Sequence, residues 1–248
     1  MKLSEKGFGI EMEITAKIAT LKIPVYEESI SYHPRSFAEG KKITGKDGLR
    51  AVYLLAKYYF MDLHYGPVDK FIRYIRKRKA LEKLTLLPNQ TILDVGCGRQ
   101  AFLGWEIKNK IKKYIGLDLT VPNVTVGNLT LVKTDIFSLK QKLSGQKCDT
   151  IVGLAIIEHL ENPEKFLKDC YFLLKKSGNL VLTTPPPYTD FLLKLLAKIG
   201  VIDKKEIDDH KTYFTVDTLA EVAKNIGFTI ESKEKFLFGL NTILVARK

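Results

Sequence analysis

Hydrophobic and polar positions follow two different patterns from Thr91 onwards. Short apolar runs rich in β-branched residues alternate with longer stretches in which apolar residues recur every three or four positions. The first pattern predicts buried strands, and the second predicts amphipathic helices. Because the two alternate along the chain, we expect a mostly parallel sheet covered by helices, which is the α/β class.

The same pattern gives the expected elements of this domain. Five strands are expected at Thr91–Val95, Tyr114–Leu117, Leu129–Lys133, Asp149–Leu154 and Asn179–Thr183. Helices are expected over residues 68–86, 101–111, 163–175, 190–199 and 216–226, the last of them capped by Thr215. Residues 228–238 and 241–247 flank a Gly239–Leu240 turn, and they predict an antiparallel hairpin at a sheet edge.

Residues 1–65 are patterned differently and predict a small α/β appendage. Helical spacing over 10–21 is followed by strand-like alternation over 22–32 and a polar loop over 33–46. A second helix is expected over 48–63, with Asp47 as its cap. A unit this small cannot bury a full core. We therefore expect two domains, the appendage at 1–65 and the α/β domain at 66–248.

Composition narrows the class of protein. A chain of 248 residues with 45% hydrophobic and 27% charged residues fits a globular protein. Its three cysteines, Cys97, Cys148 and Cys170, are far apart, and their number is odd. They predict reduced thiols in a cytoplasmic protein, with neither a disulfide framework nor a metal site. We also expect no signal peptide and no membrane-spanning helix, because no sufficiently long apolar run is present.

The net charge of +12 is concentrated in one segment. Lys70–Lys83 holds seven basic residues against one acidic residue. Such a patch suits nucleic acid, an anionic lipid surface or an acidic substrate, whereas a solvated helix face is an alternative of equal weight. The charge alone leaves these interpretations open.

The candidate chemistry begins in TILDVGCGRQAF, Thr91–Phe102, which predicts a strand, a glycine turn and a helix. Such a turn lets a ligand lie against bare backbone at the carboxyl end of a buried strand. Asp118 ends the next strand, 24 positions after Asp94, where a carboxylate can bind both ribose hydroxyls of a nucleoside. Asp135 ends the strand after that, and its carboxylate or the Ile136 amide can meet an adenine edge. The three acids together predict a nucleoside pocket; the alternative is that they are turn formers.

A family resemblance adds to this pattern. DVGCG, followed by CDTIVGLAIIEHLENPEKFLKDCYFLLKKSGNLVLTTPPP, resembles class I S-adenosylmethionine-dependent methyltransferases of the ubiquinone- and menaquinone-biosynthesis type. The resemblance covers about residues 68–248. It implies a Rossmann-like, seven-stranded, mostly parallel sheet with a reversed C-terminal hairpin. It also implies a methyltransferase that uses S-adenosylmethionine as its cofactor.

The resemblance implies specific cofactor contacts. The glycine turn would pass under the methionine part of the cofactor, Leu119 would pack on adenine, and Leu154 and Ala155 would border the methyl group. The implied cofactor-binding residues are Asp94, Gly96, Cys97, Gly98, Asp118, Leu119, Asp135, Ile136, Leu154 and Ala155. Gln100 departs from the family, which often has glycine there, so we expect altered helix packing at that position.

Two histidines are the candidate catalytic residues. His159 lies in IIEHLENP, a block that flanks the methyl-transfer centre in the family, and a histidine can take a proton from a hydroxyl acceptor. The alternative is that Glu158 and His159 cap or orient the following helix. His210 lies in IDDHKTYFT, which resembles the family's substrate-side loop, and a surface-loop histidine is the alternative there.

A second resemblance covers roughly residues 7–60. GFGIEMEITAKIA, IPVYEESISYHPRSFAEGKKI and KDGLRAVYLLAKY are similar to the C-terminal part of family 2 glycosyltransferases of the dolichol-phosphate-mannose synthase type. It implies an acidic helix near an acceptor and a phosphate-holding loop, and the matching residues are Glu11 or Glu13, Arg35, Lys41 and Lys42. The family's nucleotide-binding front half and its DxD are missing from this sequence. We therefore expect no glycosyl transfer and interpret the segment as a fusion remnant, a truncated product or a docking module.

Together these features predict S-adenosylmethionine-dependent methyl transfer to a small-molecule or to a polyprenyl-, lipid- or glycan-linked acceptor, at oxygen in preference to nitrogen or carbon. One alternative is a non-catalytic nucleoside-binding module tethered to a membrane or partner. Another is a basic RNA methyltransferase, which the clustering of charge on one helix disfavours. Peripheral contact with the inner face of a membrane through the aromatic helix at 48–63 is an option, although core packing better explains its aromatic residues.

Overall fold

The computed structural model describes residues 5–7, 9–21, 25–26, 28–29, 31, 45–60, 67–137, 139–143, 145–190, 211 and 214–248. The chain divides into two units, Met1–Tyr65 and Gly66–Lys248. None of the helices in these described ranges has both the length and the apolar character needed to cross a membrane.

The described part of the first unit is helical. It contains α1 (Gly9–Leu21) and α2 (Gly45–Phe60). Helix α2 starts two residues before Asp47, so the prediction that Asp47 caps this helix is wrong. The described residues within 22–32 form no strand, so the strand expected there is not found among them. A strand needs a neighbouring strand to bond its backbone groups, and the described residues of this unit supply none.

The second unit is an eight-stranded sheet with helices on both faces. Its described helices are α3 (Pro67–Lys83), α4 (Phe102–Ile107), α5 (Leu139–Lys142), α6 (Pro163–Leu173) and α7 (Val216–Ile226). Its strands are β1 (Thr91–Val95), β2 (Lys113–Asp118), β3 (Val124–Val126), β4 (Leu129–Lys133), β5 (Cys148–Leu154), β6 (Leu174–Thr184), β7 (Thr229–Phe236) and β8 (Asn241–Arg247).

The strand order is β3-β4-β2-β1-β5-β6-β8-β7. Strands β4, β2, β1, β5 and β6 are parallel, whereas β8 runs antiparallel to both β6 and β7. The predicted α/β class and C-terminal hairpin are therefore confirmed. The sheet has one strand more than the seven expected, because the three-residue β3 pairs antiparallel with β4. A strand of three residues is too short to show an alternating pattern.

Apolar residues of the central strands are buried on both faces of the sheet. In β1, Leu93 joins the core cluster beneath α6 and α7, whereas Ile92 joins the cluster beneath α4. Helix α3 packs through Ala80 on Val181 and Ile243. Burial on both faces explains why β1 is a continuous apolar run interrupted only by Asp94.

The topology places the glycine turn at the centre of one sheet edge. The chain passes from β1 to β2 on one side and later returns to β5 on the other side of β1. In open α/β sheets, ligands bind at the carboxyl ends of the strands where the order reverses in this way. The crevice between the carboxyl ends of β1 and β5 is therefore the candidate site. Most of the expected helix at 190–199 lies outside the described residues.

Candidate cofactor site

Backbone hydrogen bonds attach the glycine turn after β1 to the end of β2. The amides of Gly96 and Cys97 both donate to the carbonyl of Leu117, at 2.8 and 3.1 Å. The amide of Gly98 donates to the Asp118 carboxylate at 2.9 Å. Because these three amides are already bonded to β2, they are not a cradle for a phosphate group. The turn instead offers bare backbone to a ligand.

The two glycines of the turn have different roles. Both have positive φ angles, +73° for Gly96 and +70° for Gly98, in the left-handed region that favours glycine. A methyl group on Gly96 would lie 2.7 Å from Ile156, so close packing excludes a side chain there. A methyl group on Gly98 would lie 3.7 Å from Nη1 of Arg73 and would meet no other described residue within 4 Å. The space above Gly98 is open, and Arg73 lies at its rim.

Asp118 is held in one orientation at the end of β2. Its Oδ2 accepts the Gly98 amide, and its Oδ1 accepts the amide and the hydroxyl of Thr120 at 2.8 and 2.6 Å. A carboxylate has about four lone-pair sites, so this oriented group can still accept hydrogen bonds from two hydroxyls of a ligand. Thr120 was not predicted from the sequence, although an Asp two residues before it is typical of an Asx turn.

Asp94 is a buried carboxylate beside the turn. Its Oδ2 accepts a hydrogen bond from the hydroxyl of Tyr114 at 2.5 Å, and its Oδ1 has no partner among the described residues. Burial raises the pKa of Asp94 to about 7, against the lowering effect of the Tyr114 hydrogen bond, and the charge of Asp118 raises it further. An acidic oxygen that lacks a partner in a buried position fits a cationic group of a ligand.

Cys97 is packed between the two glycines as a small apolar residue. A methyl group on Gly116 would lie 2.9 Å from its Sγ, so its thiol lies against β2. Burial raises the pKa of the Cys97 thiol well above its ordinary value. A thiol with a raised pKa is a poor nucleophile, in agreement with its interpretation as a turn residue.

The third acid is in a different environment. Asp135 accepts the amide of Phe137 at 3.0 Å and forms an ion pair with Lys142 at 2.6 Å. The hydrogen bond from Lys142 lowers the pKa of Asp135. Ile136 is half-buried against the core, and the side chain of Leu119 is 63% exposed after β2. Contact of these residues with adenine stays a prediction.

The second wall of the crevice follows β5. Leu154 is half-buried, and Ala155 adopts a left-handed conformation with a φ of +55°. The Ala155 amide donates to the carbonyl and to the hydroxyl of Thr183, at 2.9 and 3.1 Å. These bonds to β6 hold a backbone conformation that is unfavourable for a residue with a side chain. The two hydrogen bonds therefore fix the turn of the chain at the edge of the crevice.

His159 is half-buried in a short 3₁₀ turn, Ile157–His159. The following helix, α6, is capped by Asn162, whose side-chain oxygen accepts the Lys165 amide at 2.9 Å. Capping of this helix by Glu158 and His159 is therefore wrong, whereas their orienting of the helix stays a prediction. His210 lies outside the described residues, but the neighbouring Lys211 donates its amide to the Glu158 carbonyl at 2.8 Å.

Glu158 is a buried acid that the sequence did not identify as a site residue. Its side chain accepts a hydrogen bond from the hydroxyl of Thr184 at 3.1 Å. Burial raises the pKa of Glu158, while electrostatic interaction with Arg76 and His159 lowers it. Arg76 is joined by a hydrogen bond to Asn241 at the start of β8, a tertiary contact that the sequence of α3 does not signal.

The basic residues of α3 are engaged within the second unit. Lys79 lies 3.2 Å from Glu82 and 3.0 Å from Glu234, and Lys83 also contacts Glu234. Further partners join α3 to α4 and β8 or lie within the helix, namely Lys77 with Glu106, Arg76 with Asn241 and Arg78 with Tyr74. These contacts attach α3 to its own unit. The interpretation of its excess charge stays a prediction.

In the first unit, the described residues of the glycosyltransferase-like segment include both candidate acids. Glu13 is buried, and its carboxylate accepts the Glu5 amide at 2.7 Å, whereas Glu11 is exposed. Arg35, Lys41 and Lys42 lie outside the described residues.

The residues around the β1 turn fit S-adenosylmethionine. Gly98 leaves an open face, Asp118 is oriented for ribose hydroxyls, and Asp94 keeps an unpartnered oxygen for a cationic group. A dinucleotide would need free amides for its pyrophosphate, and those of Gly96, Cys97 and Gly98 are already bonded.

Comparisons with known proteins agree with this fit. A family model described as a methyltransferase domain matches residues 68–233. The chain is 23% identical over 192 residues to a ubiquinone biosynthesis O-methyltransferase of Acinetobacter baumannii, covering 72% of this chain and 79% of that protein. It is 31% identical over 189 residues to the S-adenosylmethionine-dependent methyltransferase UmaA of Mycobacterium tuberculosis, covering 72% of this chain and 62% of that protein.

The fold also resembles solved structures. An S-adenosylmethionine-dependent methyltransferase from Mesorhizobium loti superposes with a TM-score of 0.54 at 17% identity, covering 70% of this chain and 98% of that one. The matched family covers the glycine turn, Asp118 and the β5 edge in a single stretch. The chain therefore belongs to the methyltransferase-domain family and is an S-adenosylmethionine-dependent methyltransferase.

Proposed function

We propose that this protein transfers a methyl group to an oxygen atom of a small-molecule or a lipid- or glycan-linked acceptor. The observation that carries the cofactor part of the proposal is the Asp118 carboxylate, which Gly98 and Thr120 orient beside the glycine turn. The O-methyltransferase relative from ubiquinone biosynthesis supports oxygen as the acceptor atom.

Each part of the cofactor is assigned to different residues around the turn. Asp118 accepts the ribose hydroxyls, while the exposed Leu119 packs on adenine and Asp135 or the Ile136 amide meets its edge. At the other end of the cofactor, the ammonium group of the methionine part would lie near Oδ1 of Asp94. It would give this buried oxygen a hydrogen-bond partner.

The tertiary structure adds Arg73 to the proposed cofactor-binding residues. Its guanidinium lies at the rim of the open face of Gly98, close to where the methionine part of the cofactor would pass. A guanidinium binds a carboxylate through charge-assisted hydrogen bonds. We therefore assign Arg73 to the carboxylate of the cofactor.

When bound, S-adenosylmethionine supplies a methyl group that its sulfonium has already activated. The protein has to align the acceptor oxygen with that methyl group and exclude water. Leu154 and Ala155 form the apolar wall beside the methyl group. As the acceptor oxygen takes the methyl group from the sulfonium sulfur, whose bond to that carbon breaks, the proton of the acceptor would pass to His159. Contact of His210 with the acceptor is proposed from the sequence alone.

The first unit is proposed to help dock a polyprenyl- or glycan-linked acceptor. The role was suggested by the sequence resemblance of residues 7–60, which lie outside the matched methyltransferase family because its model begins at residue 68. Helix α2 adds a second point, because Leu49, Val52 and Tyr53 expose 74%, 65% and 64% of their surface on one side of the helix. An apolar helix face of this kind suits the surface of a membrane.

Binding of S-adenosylhomocysteine to an Asp118→Ala variant tests the cofactor site. We expect the wild type to bind the ligand and the variant to lose at least about 100-fold in affinity, because two hydrogen bonds to a charged group disappear. Isothermal titration calorimetry measures both constants. Asp217→Ala, which removes an exposed carboxylate paired with Lys233, is the matched control and should bind as the wild type does. Equal affinities of the wild type and Asp118→Ala would contradict the assignment.

Transfer of a labelled methyl group in a cell extract tests the acceptor class. The protein is incubated with methyl-labelled cofactor and extract, and the products are separated into lipid, small-molecule, protein and RNA fractions. We expect the label in the lipid or small-molecule fraction as a methyl ether. Label confined to RNA would contradict the proposal and support the basic RNA methyltransferase.

A further inference from the structure

The turn between β7 and β8 lies at the same edge of the sheet as the glycine turn. Thr184, at the end of β6, pairs with Thr242, and Phe236, at the end of β7, pairs with Asn241. Strand β6 is parallel to β5, and β5 is parallel to β1. Residues 236–240, which form the hairpin tip, therefore lie at the carboxyl-end edge of the parallel strands, where the candidate cofactor site also lies.

The hairpin tip exposes an aromatic side chain from an unfavourable backbone conformation. The Gly239 amide donates to the Phe236 carbonyl at 3.1 Å and closes a turn whose central residues, Leu237 and Phe238, have φ angles of +53° and +54°. Asn, Asp and Gly are the usual residues at such positions, because a larger side chain is disfavoured there. Phe238 is nonetheless fully exposed, at 103%. Neither the turn nor the core therefore explains a phenylalanine at this position.

A tyrosine and a lysine belong to the same surface. Tyr188, which follows β6, is 59% exposed, and its hydroxyl donates to the Gly239 carbonyl at 2.6 Å. This hydrogen bond attaches the chain after β6 to the hairpin tip. Lys235 is exposed, and its ammonium group lies 5.5 Å from the centre of the Tyr188 ring, which is the distance of a cation–π contact. Two exposed aromatic rings and a positive charge thus lie together.

These side chains fit the surface of a lipid bilayer. An exposed ring can enter the acyl boundary, the amphipathic ring of a tyrosine suits the headgroup level, and an ammonium group attracts anionic headgroups. The area is too small for a stable protein partner. Two aromatic side chains bury about 150–250 Å² each, whereas a stable protein interface takes about 800 Å² from each partner.

We propose that the hairpin tip, together with Tyr188 and Lys235, is the surface through which the second unit contacts an anionic lipid bilayer. The choice of a lipid rests on the proposed function, which includes lipid-linked acceptors. Phe238 enters the acyl boundary, while Tyr188 and Lys235 lie among the headgroups. Contact at this surface turns the carboxyl-end edge of the sheet toward the bilayer, and the candidate cofactor site lies at that edge.

Vesicle binding by the full-length protein tests the proposal. Vesicles of phosphatidylglycerol and phosphatidylcholine, which contain no acceptor, are titrated with each protein, and the bound fraction is measured by flotation. We expect Phe238→Ser to bind roughly 10- to 100-fold more weakly than the wild type, which is the effect of burying one large apolar side chain. Lys235→Gln should lose about fivefold on these vesicles and nothing on phosphatidylcholine alone, because it removes an attraction to anionic headgroups.

Phe172→Ser is the matched control, because it removes an exposed phenylalanine from the opposite edge of the sheet. Phe172 is 40% exposed near the end of α6. The thiol of Cys148, at the start of β5, donates to the carbonyl of the neighbouring Leu173 at 3.5 Å, which places this residue at the amino ends of the parallel strands. Phe172→Ser should keep the wild-type affinity for vesicles. Thermal denaturation establishes that each variant is folded.

Tryptophan fluorescence measures whether the hairpin tip enters the bilayer. The chain contains one tryptophan, Trp105, which is half-buried in the second unit. Phe238→Trp adds a second one, and brominated acyl chains should quench its emission when vesicles are present. The tryptophan added by Phe172→Trp should not be quenched. The affinity of Phe238→Ser for S-adenosylhomocysteine should equal that of the wild type, because no residue assigned to the cofactor is changed.

Several results would overturn the proposal. Wild-type vesicle binding by Phe238→Ser, or an unquenched Phe238→Trp, would show that the hairpin tip does not contact lipid. An equal loss in Phe172→Ser would show that vesicle binding does not depend on this surface. Self-association of the wild type that Phe238→Ser abolishes, without vesicle binding, would assign the tip to a second copy of the chain. Failure of the wild type to bind S-adenosylhomocysteine is a separate result, which would remove the proposed cofactor site and leave the vesicle result standing.

Discussion

At the scale of single residues, the candidate site has two acids at the carboxyl ends of adjacent strands, and their environments differ. Asp118 is half-buried, and its oxygens accept hydrogen bonds from Gly98 and Thr120. Asp94 is 2% exposed, has one donor in Tyr114 and keeps one oxygen without a partner among the described residues. The first arrangement suits recognition of hydroxyl groups, and the second suits a positive charge.

The raised pKa of Asp94 predicts an unusual dependence of stability on pH. Its pKa is about 7 in the folded protein against an ordinary value of 3.8, so the folded state holds the extra proton between these values. The contribution of Asp94 to the free energy of unfolding is therefore fully present below pH 3.8. It is lost as the pH rises to about 7, by at most about 4 kcal/mol. Urea denaturation between pH 4.5 and 8 measures this change.

Asp94→Asn supplies the comparison for that experiment. Asparagine has nearly the same shape and does not titrate, so the pH-dependent loss of stability should be smaller in the variant than in the wild type. Identical pH profiles of the two proteins would contradict the assignment of the proton to Asp94. Other carboxylates titrate alike in both proteins, so their contributions cancel when the two pH profiles of stability are subtracted.

At the scale of elements, the contact between α4 and β2 is set by one glycine. Gly104 lies in α4 directly above the ring of Tyr114, and a methyl group on it would lie 2.3 Å from Cε1 of that ring. Both residues are buried, and the tyrosine hydroxyl is the donor to Asp94. The helix therefore holds in place the ring that orients an acid of the site.

Gly104→Ala should destabilise the second unit although alanine favours helices. The added methyl group would overpack a buried contact, with a cost of about 1–3 kcal/mol that exceeds the gain in helix propensity. Urea denaturation of the full-length protein measures the loss. Gly48→Ala in α2 is the matched control, since a methyl group there would meet no described residue within 4 Å, and we expect no loss of stability. If Gly104→Ala has the same urea midpoint as the wild type, the close packing of α4 on Tyr114 is contradicted.

At the scale of the whole molecule, the chain divides into two units of unequal size, and the candidate site lies in the second. The glycine turn, Asp118, Glu158 and the arginines of α3 all belong to Gly66–Lys248. Helix α3 lies before the first strand in the chain, yet it packs on β5, β6 and β8. Helix α3 is therefore part of the same packed unit as the sheet that follows it.

A chain that begins at Gly66 should bind S-adenosylhomocysteine as the full-length protein does. We expect the two dissociation constants to agree within about twofold, because every residue assigned to the cofactor is retained. A second truncation that begins at Leu84 removes α3 and is expected to weaken binding, since it removes Arg73 and Arg76. Calorimetry measures both, and circular dichroism establishes that the shortened chains are folded. Loss of binding in the chain from Gly66 would show that the first unit contributes to the site.

The sequence by itself determined the α/β class, the positions of β1, β4 and β8, and the hairpin. These features depend on hydrophobic periodicity and on turn residues, which act over a few neighbouring positions. The acids at the strand ends were predictable for the same reason, because parallel topology brings the carboxyl ends of the strands to one edge. Asp94 and Asp118 were found in this way.

Only the tertiary structure decided how these residues are partnered. The hydroxyl of Tyr114 reaches Asp94 across two strands, and the guanidinium of Arg73 reaches Gly98 from a helix 25 positions earlier. Arg76 donates a hydrogen bond to Asn241, which lies 165 positions later in the chain. No local pattern encodes such contacts, because they result from how the helices pack on the sheet. The sequence predicted a nucleoside site at the β1 turn, and packing supplied the partners that orient its acids and place an arginine at its rim.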